Sequence, residues 1–529
     1  MYFSAAKIRN QNFAPLHMSS GNTQLNKHLG FFLKAIATYV ALLLMLGYQF
    51  GVNDMVEGLT YACRIDNPEL YKHDLYINTI SGYWINERIG FVLLLLIGLK
   101  WITGWAFLLH FLASFSLICG IYKVAAIYIH SRFYRWMAVF FTLILMQQFS
   151  LGGNELYYNY MVPSLAAKSI AIWVVFFCLK RKWWLAFLLI NPVVFFQPIV
   201  GAQMGLIAGI LLIADDVRER KLHIKSYFIG LAMCLPALIW LFLLFRYHNQ
   251  DDVNSTINYL DIIRLRMPHH YLPEWFSWES YVVTAVISLM SMIWFWKNDR
   301  RVFHLIAWIL VGCGLYGIAI RAGHEWPIQT QWFKSTIWVE MFAVISFLGW
   351  LNRRMVIKVK MLYFFGILLI MLSVLWYFDV PPFKEKPYDF GERWKNNPSV
   401  DIALACEKLT PLNAVFIIPP ENNSFRYASQ RSVYVDFKSI AHQKAYLNEW
   451  YKRVRQIYGL RAGGQTGGFR VIPQAISDYS NLSTVQIRML RAYGVTHMLT
   501  YAKHKLDLPI VIQNESFVVY SINPVRTTF

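Results

Sequence analysis

An apolar run at residues 31–50, FFLKAIATYVALLLMLGYQF, decides the class of fold. It holds twenty residues and a single charged side chain, Lys34. A helix needs about 20 predominantly apolar residues to cross the hydrocarbon core of a bilayer. The preceding residues, 1–30, are polar and partly basic. We therefore expect them to stay in the cytoplasm and the run to act as a signal anchor.

Similar apolar runs recur as far as Tyr377, in a chain of 529 residues that is 57% hydrophobic and only 15% charged. Soluble domains carry about 25% charged residues, so the composition predicts a polytopic helical membrane protein. A net charge of +20 would suggest nucleic-acid binding in a soluble protein. Here many basic residues lie in short loops beside apolar runs, where they set topology. No nucleic-acid partner is predicted.

The basic clusters predict the topology. About eleven spans place all of these clusters on one side of the membrane. They are residues 123–135, 180–182, 218–225, 297–301 and 353–360. The acidic first loop, the 151–163 loop and the 247–280 loop then share the outer side. Residues 183–214 are predicted to form a hairpin of two short apolar halves around a polar tip.

The chain changes character near residue 379, where charged residues and short β-rich runs replace the long apolar ones. Strands are predicted at Ala414–Ile418, Ser432–Phe437, Thr496–Tyr501 and Phe517–Ile522, and helices at 441–458 and 484–493. The predicted domains are a cytoplasmic segment at 1–30, a transmembrane domain at 31–378 and an extracytoplasmic domain at 379–529. The fold class is mainly α, a transmembrane helical bundle with a C-terminal α/β domain.

The stretch Arg264-Leu-Arg-Met-Pro-His-His-Tyr-Leu-Pro273 lies in an outer loop. Its two prolines predict a rigid, non-helical turn. The planar arginine side chains suit phosphate, and the two histidines donate, accept, bind metal or titrate near neutral pH. The stretch therefore predicts either an anion-binding edge of an active site or a basic loop that contacts lipid headgroups.

Asp54 and Glu57 lie just beyond the outer end of the first span. A carboxylate at a membrane–water boundary can act as a general base, because a partly dry site raises its pKa toward working pH. We predict that Asp54, and less strongly Glu57, is catalytic. The alternative is that a loop simply begins with polar residues.

Basic residues on the outer side are disfavoured by the positive-inside rule, so they indicate a phosphate or pyrophosphate ligand, or the outer headgroups. The predicted substrate-binding residues are Arg264, Arg266, His269, His270, Tyr271, Glu155, Arg321 and Lys334. Four charged residues of the C-terminal domain predict either a recognition surface for the acceptor or a structural salt-bridge network. They are Arg426, Arg431, Asp436 and Lys438.

Three ionisable residues inside apolar runs are costly there unless they are paired or functional. They are His110, Lys168 and Glu340. These residues either line an internal cavity or extend their polar ends toward the interface. Lys168 and Glu155 are too far apart along a continuous helix to form a direct pair.

Several motifs carry a resemblance. Arg266-x-Pro-His-His-Tyr-x-Pro273, Gln197-Pro-x-x-Gly201 and the segment from Phe425 to Lys438 resemble a family of polytopic bacterial membrane proteins. The overall plan resembles the GT-C glycosyltransferases, which have many spans, a carboxylate in the first outer loop and often a C-terminal extracytoplasmic domain. In place of their paired acidic motif this chain has Asn53-Asp54.

The resemblance implies transfer of a sugar from a polyprenyl-phosphate carrier to a glycan or lipid acceptor of the cell envelope. The carboxylate of Asp54, or of Glu57, would be the base. It also implies the bacterial plasma membrane as the location, with the membrane lipid as a further partner.

Two other functions stay open. A transporter or flippase of lipid-linked intermediates predicts internal repeats, and the sequence shows no convincing repeat. A non-enzymatic envelope assembly protein would tolerate alanine at Asp54 and in the histidine stretch. A divalent cation held by His269, His270 and Asp54 is a further hypothesis, although the sequence has no zinc spacing and no metal ligand is predicted.

Overall fold

The computed structural model describes residues 20–81, 87–144, 151–153, 155–248, 258–354, 388–463 and 466–522. Helices make up the N-terminal part, and a five-stranded sheet with flanking helices makes up the C-terminal part. The prediction of a mainly α fold with a C-terminal α/β region is confirmed.

The N-terminal part contains helices of very different lengths because short polar stretches alternate with long apolar ones. They are α1 (Ser20–Leu46), α2 (Asp54–Asp66), α3 (Leu75–Ser81), α4 (Ile89–Ile97), α5 (Ile102–Tyr128), α6 (Arg132–Ile144), α7 (Pro163–Leu179), α8 (Trp183–Phe196), α9 (Pro198–Glu219), α10 (Ile224–His248), α11 (Tyr259–Arg266), α12 (Pro268–Tyr271), α13 (Trp278–Asn298), α14 (Arg300–Arg321) and α15 (Thr336–Arg354).

Seven helices within the described residues are long and apolar enough to cross a membrane. They are His28–Leu46, Leu99–Tyr128, Pro198–Glu219, Ile224–His248, Trp278–Asn298, Arg300–Arg321 and Pro327–Arg354. The helices α7 and α8 are apolar but shorter. The span expected at about 361–378 lies outside the described residues. These helices are those of a multi-pass membrane protein.

The prediction of a hairpin with two short helices is confirmed for the first helix and wrong for the second. Helix α8 has 14 residues, but α9 has 22 and is a full-length span. Pro198 occupies the first position of α9, where its missing N–H leaves no carbonyl unpaired. The helix continues past the apolar run to Glu219, and the acid Asp215 near its end pairs with Arg181 at 2.8 Å.

The prediction of a non-helical turn at the histidine stretch is wrong. Arg264 and Arg266 lie in the last turn of α11, and the two histidines lie in α12. Both prolines begin a helical turn, Pro268 in α12 and Pro273 in a 3₁₀ turn at Pro273–Trp275. Proline is compatible with the first position of a helix, so it separates these turns and does not prevent them.

Two sheets organise the chain beyond the bundle. In the smaller sheet, β1 (Tyr48–Gln49) pairs in parallel with β2 (Tyr388–Asp389), so the end of α1 is joined to the start of the C-terminal part. The larger sheet has the order β4-β3-β5-β7-β6. Its strands are β3 (Val415–Ile417), β4 (Ser432–Val433), β5 (His497–Tyr501), β6 (Ile510–Gln513) and β7 (Phe517–Ser521).

The larger sheet is mixed. Strand β3 is parallel to β4 and β5, whereas β7 is antiparallel to β5 and β6. The helices of this part are α16 (Glu392–Lys395), α17 (Pro398–Leu409), α18 (Phe425–Ser429), α19 (Lys444–Tyr458), α20 (Ile472–Ser480) and α21 (Thr484–Met489). Apolar side chains of α17, including Val400 and Ile402, form one core with Phe416 of β3.

Candidate functional site

A strained turn places the first two candidate residues. Asn53 has φ 50° and ψ −134°, a combination that residues other than glycine rarely adopt. Gly51 has φ 69°, and a Cβ there would lie 2.4 Å from the Trp394 ring nitrogen. Helix α2 begins directly after this turn and carries Asp54 and Glu57 in its first turn, where its dipole favours negative charge.

Two basic side chains from distant parts of the chain meet these carboxylates. Arg88 lies 2.7 Å from a Glu57 oxygen and 3.7 Å from an Asp54 oxygen. The Lys438 ammonium lies 3.8 Å from the other Asp54 oxygen. Asp54 has no close ion-pair contact among the described residues, since both of its distances are long, and its side chain is 46% exposed. Glu57 is 11% exposed and is bound to Arg88.

The two carboxyl groups differ in pKa. Partial burial would raise the pKa of Asp54, but the charges of Arg88, Lys438 and other basic groups outweigh it and hold the pKa below its usual value. Burial raises the pKa of Glu57, and Arg88 offsets this only in part. The prediction that a partly dry site raises the pKa is therefore wrong for Asp54, because four basic groups act on it.

Arg266 and Lys334 are the other two basic groups that lower the pKa of Asp54. Arg266 is buried, and its guanidinium donates to the Lys438 carbonyl at 2.6 Å and packs on the Phe437 ring at 5.2 Å. Helix α11 and the C-terminal part are thus fixed to each other beside Asp54. Four basic side chains surround two acidic ones, and we call these six residues the charged centre.

The two histidines lie next to this centre but are uncharged near neutral pH. Burial, with Arg266 and Lys334, lowers the pKa of His269 to about 4. Burial and Lys334 also lower the pKa of His270, whose Nδ1–H donates to the Gly152 carbonyl at 3.0 Å. The prediction of basic groups at these positions is wrong, because nearby cations and burial disfavour the imidazolium.

Two predicted substrate-binding arginines lie away from the charged centre. Arg264 pairs with Asp261 at 3.2 Å and Glu274 at 3.6 Å, although it is only two residues from Arg266. Arg321 is exposed at the end of α14. The helical turn of α11 explains the difference, since positions i and i+2 point to different sides of a helix.

The other two predicted residues have polar partners of their own. Lys168 donates to the backbone carbonyl of Glu155 and packs on the Tyr158 ring at 4.9 Å. This contact is with the backbone of Glu155 and is possible because the loop before α7 folds back over that helix, so it does not contradict the expectation that the two side chains form no direct pair. The Tyr271 hydroxyl accepts from the Gln331 side-chain amide at 2.5 Å.

Of the four predicted C-terminal residues, Lys438 has an ion-pair contact with the charged centre, and Asp436 acts electrostatically on Glu57 and Arg266. Arg426 is buried between Asp74 at 2.7 Å and Asp436 at 2.6 Å. The Arg431 guanidinium donates to backbone carbonyls, including that of Thr410 at 2.7 Å. The structural network is therefore the interpretation that the contacts of these three residues favour.

Sequence reasoning missed Arg88 and a buried cluster beside it. Glu87 lies 3.0 Å from the His248 Nε2, and His442 packs near His248 with ring centroids 6.1 Å apart. The available signal for Arg88 was a basic residue at the end of a first loop in which acidic residues outnumber basic ones. His442 is an isolated histidine in the tail, and no local pattern marks it.

The hypothesis of a divalent cation has no support in the geometry. Within the described ranges, no group of three or more histidine, cysteine, aspartate or glutamate side chains is arranged to hold a metal ion. His269 and His270 face Phe469 and Gly152, respectively, so their own contacts are aromatic and backbone contacts.

Comparisons with known proteins give three findings. A family model described as "Domain of unknown function (DUF6798)" matches residues 398–457. No curated protein matches the chain. Among solved structures, ArnT from Cupriavidus metallidurans in the apo state aligns with 12% identity and a TM-score of 0.39, over 94% of this chain and 98% of that chain. The same protein bound to undecaprenyl phosphate aligns with 12% identity and a TM-score of 0.38, over the same shares.

Proposed function

We propose that this protein is a membrane glycosyltransferase that moves a sugar from a polyprenyl-phosphate carrier to an acceptor hydroxyl of the cell envelope. The observation that carries the proposal is the charged centre, in which four basic side chains surround a half-exposed, ionised Asp54 and a buried Glu57. An excess of basic groups beside one accessible carboxylate suits a site that binds a phosphate and accepts a proton.

Asp54 is the better candidate for the base. Glu57 is engaged by Arg88, and the Tyr76 hydroxyl lies 3.4 Å from the same carboxylate oxygen. Asp54 is more exposed and is ionised near neutral pH, so it can accept a proton. Its lowered pKa makes it a weaker base than Glu57, and access to the acceptor is what favours it. In the proposed step the acceptor hydroxyl gives its proton to Asp54 while its oxygen bonds to the anomeric carbon. The bond from that carbon to the phosphate oxygen breaks, and the electron pair leaves with the polyprenyl phosphate.

Lys334 and Arg266 are the groups that we propose to stabilise the leaving phosphate. Both act electrostatically on Asp54, so they lie near the atoms between which the proton moves. Lys334 belongs to the apolar segment Pro327–Arg354, which is long enough to cross the membrane. A phosphate on a lipid carrier would meet a cation at such a position, because the headgroup lies where the span ends.

A transporter of lipid-linked intermediates is the second candidate, on one observation. Glu340 is buried in α15, and its Oε1 has no hydrogen-bond partner in the part of the chain that the structure describes. A buried carboxyl group inside a span is a common feature of ion-coupled transport.

The test combines lipid binding with sugar transfer. Undecaprenyl phosphate, the lipid bound in one ArnT structure, is the binding probe, and polyprenyl-phosphate sugars with a cell-envelope fraction form the transfer assay. We expect Lys334→Met and Arg266→Gln to weaken lipid binding about tenfold or more, because each removes a charge-assisted contact. We expect Asp54→Asn to bind the lipid normally and to lower transfer by at least about 10²-fold.

Arg264→Ala is the matched control, since Arg264 lies in the same helix as Arg266 and pairs outside the charged centre. It should leave binding and transfer unchanged. Normal transfer by Asp54→Asn would overturn the proposal. Loss of lipid export in Glu340→Gln, together with normal function of Asp54→Asn, would establish the transporter instead.

A further inference from the structure

Gln331 combines a strained backbone with deep burial. It lies between the 3₁₀ turns Trp326–Thr330 and Trp332–Ser335 and has φ 43° and ψ 46°, in the left-handed region. Its residue exposure is 5%. Residues other than glycine, asparagine and aspartate seldom adopt this conformation, and such strain concentrates at ligand-binding sites.

The backbone of Gln331 is held by a neighbouring helix and by its own turn. The side-chain amide of Gln203, on α9, donates to the Gln331 carbonyl at 3.2 Å and to the Thr330 carbonyl at 3.3 Å. The Lys334 N–H donates to the same Gln331 carbonyl at 2.9 Å. The strained residue is therefore fixed one 3₁₀ turn before a basic residue of the charged centre.

The side chain of Gln331 is satisfied at one end only. Its Nε2 donates to the Tyr271 hydroxyl at 2.5 Å, whereas its Oε1 has no hydrogen-bond partner among the residues that the structure describes. A buried acceptor without a donor is costly, so such groups in folded proteins need an explanation. A ligand that donates a hydrogen bond to the Gln331 Oε1 would explain why this buried acceptor has no protein donor among the described residues.

The side chains that hydrogen-bond around this amide come from two tyrosines and a histidine, and the carboxyl groups of Glu87 and Glu325 lie nearby. The Tyr271 hydroxyl lies 3.5 Å from the His442 Nε2, and the Tyr259 hydroxyl lies 3.0 Å from the His442 Nδ1. Burial lowers the pKa of His442 and raises the pKa of Tyr271 and Tyr259, so all three are neutral near pH 7. We call Gln331, Tyr271, His442 and Tyr259 the neutral cluster.

The charged centre and the neutral cluster differ in the chemistry that they suit. Basic side chains bind a phosphate, whereas an amide oxygen beside tyrosine and histidine suits a group that both donates and accepts. We propose that the neutral cluster is a sugar subsite, in which Gln331 Oε1 accepts a hydrogen bond from a hydroxyl of the sugar carried on the phosphate. This inference rests on the proposed function, and it assigns the specificity for the transferred group to Gln331.

The experiment compares three lipids on the full-length protein in detergent. The lipids are undecaprenyl phosphate, a hexosyl undecaprenyl phosphate and a pentosyl undecaprenyl phosphate. We expect at least one glycosyl lipid to bind the wild type more tightly than the bare phosphate does. Gln331→Leu should reduce that advantage about tenfold, because it removes the acceptor for the sugar hydroxyl. Binding of the bare phosphate should be unchanged, since the amide donor that is also lost contacts Tyr271 of the protein and no part of the lipid.

A second variant tests whether misfolding of Gln331→Leu accounts for the loss of binding. Gln331→Asn keeps an amide and a residue that tolerates the left-handed backbone, but it withdraws the oxygen by one methylene, so the same loss is expected. Gln430→Asn is the matched control, because Gln430 also has a positive φ (50°) and lies in the C-terminal part. It should bind all three lipids as the wild type does.

The outcomes separate this inference from the proposed function. If neither glycosyl lipid binds better than the bare phosphate, or if the advantage survives in both Gln331 variants, the sugar subsite is overturned. If the wild type binds none of the three lipids, the proposed function itself fails, and the subsite falls with it.

Discussion

Asp54 and Glu57 lie one helical turn apart on α2, yet their surroundings shift their pKa values in opposite directions. Four basic groups act on Asp54, whereas burial dominates at Glu57. A pair of carboxyl groups with separated pKa values is a feature that sites for proton transfer share. In this pair the exposed member is the one held ionised, so it is the member that an incoming hydroxyl would meet.

Glu87 allows a test at the scale of one residue. Burial would raise its pKa, but His442, His248 and Arg88 hold the pKa at about 2, below the ordinary value of 4.5. His442 contributes in the acid range where Glu87 titrates, because its imidazole, neutral near pH 7, takes up a proton there. The ionised form of Glu87 therefore stabilises the fold above about pH 4.5, by at most about 3 kcal/mol, and this contribution is lost as the pH falls toward 2.

We expect Glu87→Gln to be less stable than the wild type at pH 6, and the difference in melting temperature to shrink steadily below pH 4.5. Thermal unfolding in detergent across this pH range provides the measurement. Glu69→Gln is the control, because Glu69 forms an exposed pair with Lys72. A difference that stays constant with pH would contradict the assignment.

For single residues, the sequence predicts what position along the chain decides. Asp54 follows the first apolar run, and this alone predicts that it lies at a membrane boundary. The sequence does not predict that Arg88 and Lys438 contact Asp54, because these contacts depend on how the first loop and the C-terminal part fold together. The prediction of the charge state of His269 and His270 is wrong for the same reason, since that charge state depends on cations from other elements.

At the scale of elements, apolar length and proline position decided most of the structure. The long helices follow the apolar runs, and the strands β3, β5 and β7 follow the β-rich runs of the tail. The prediction for the histidine stretch is wrong because proline, which breaks a helix in its interior, also occupies the first position of a helix. Whether a proline ends one helix or begins the next depends on the conformation of the flanking turns, which the sequence alone does not determine.

The contact between α8 and α9 gives a prediction at this scale. Gly201 is buried at the start of α9, and a Cβ there would lie 2.6 Å from the Val194 Cα. Since backbone atoms cannot move aside cheaply, Gly201→Ala should destabilise the protein by about 1–3 kcal/mol. A melting temperature lowered by several degrees in detergent is the expected result.

Gly205 provides the matched control on the same helix, because a Cβ there meets nothing within 4 Å. Gly205→Ala should leave the melting temperature unchanged or raise it slightly, since alanine is the better helix former. Equal effects of the two substitutions would show that α8 and α9 are not closely packed at Gly201.

At the scale of the whole molecule, Arg426 joins the first loop to the C-terminal part. It binds Asp74 of the first loop and Asp436 of the tail, and all three side chains are buried. Removal of one partner leaves two buried acids without their counter-charge. We expect Arg426→Met to lower the free energy of unfolding by about 3–5 kcal/mol.

Chemical unfolding followed by tryptophan fluorescence measures this change. Lys72→Met is the control, because Lys72 and Glu69 form an exposed pair, which is worth about 0–1 kcal/mol. If Arg426→Met is no less stable than Lys72→Met, the buried bridge does not hold the two parts together.

The contact between Lys438 and Asp54 has a consequence for biosynthesis. Ribosomes make Asp54 long before Lys438, and most of the long apolar helices of the described residues lie between the two. The charged centre therefore cannot form until the segment that carries Lys438 has been made. It forms only after the tail has been delivered to the same face of the membrane as the first loop. A chain terminated before residue 438 would therefore keep its seven long helices and lack the centre.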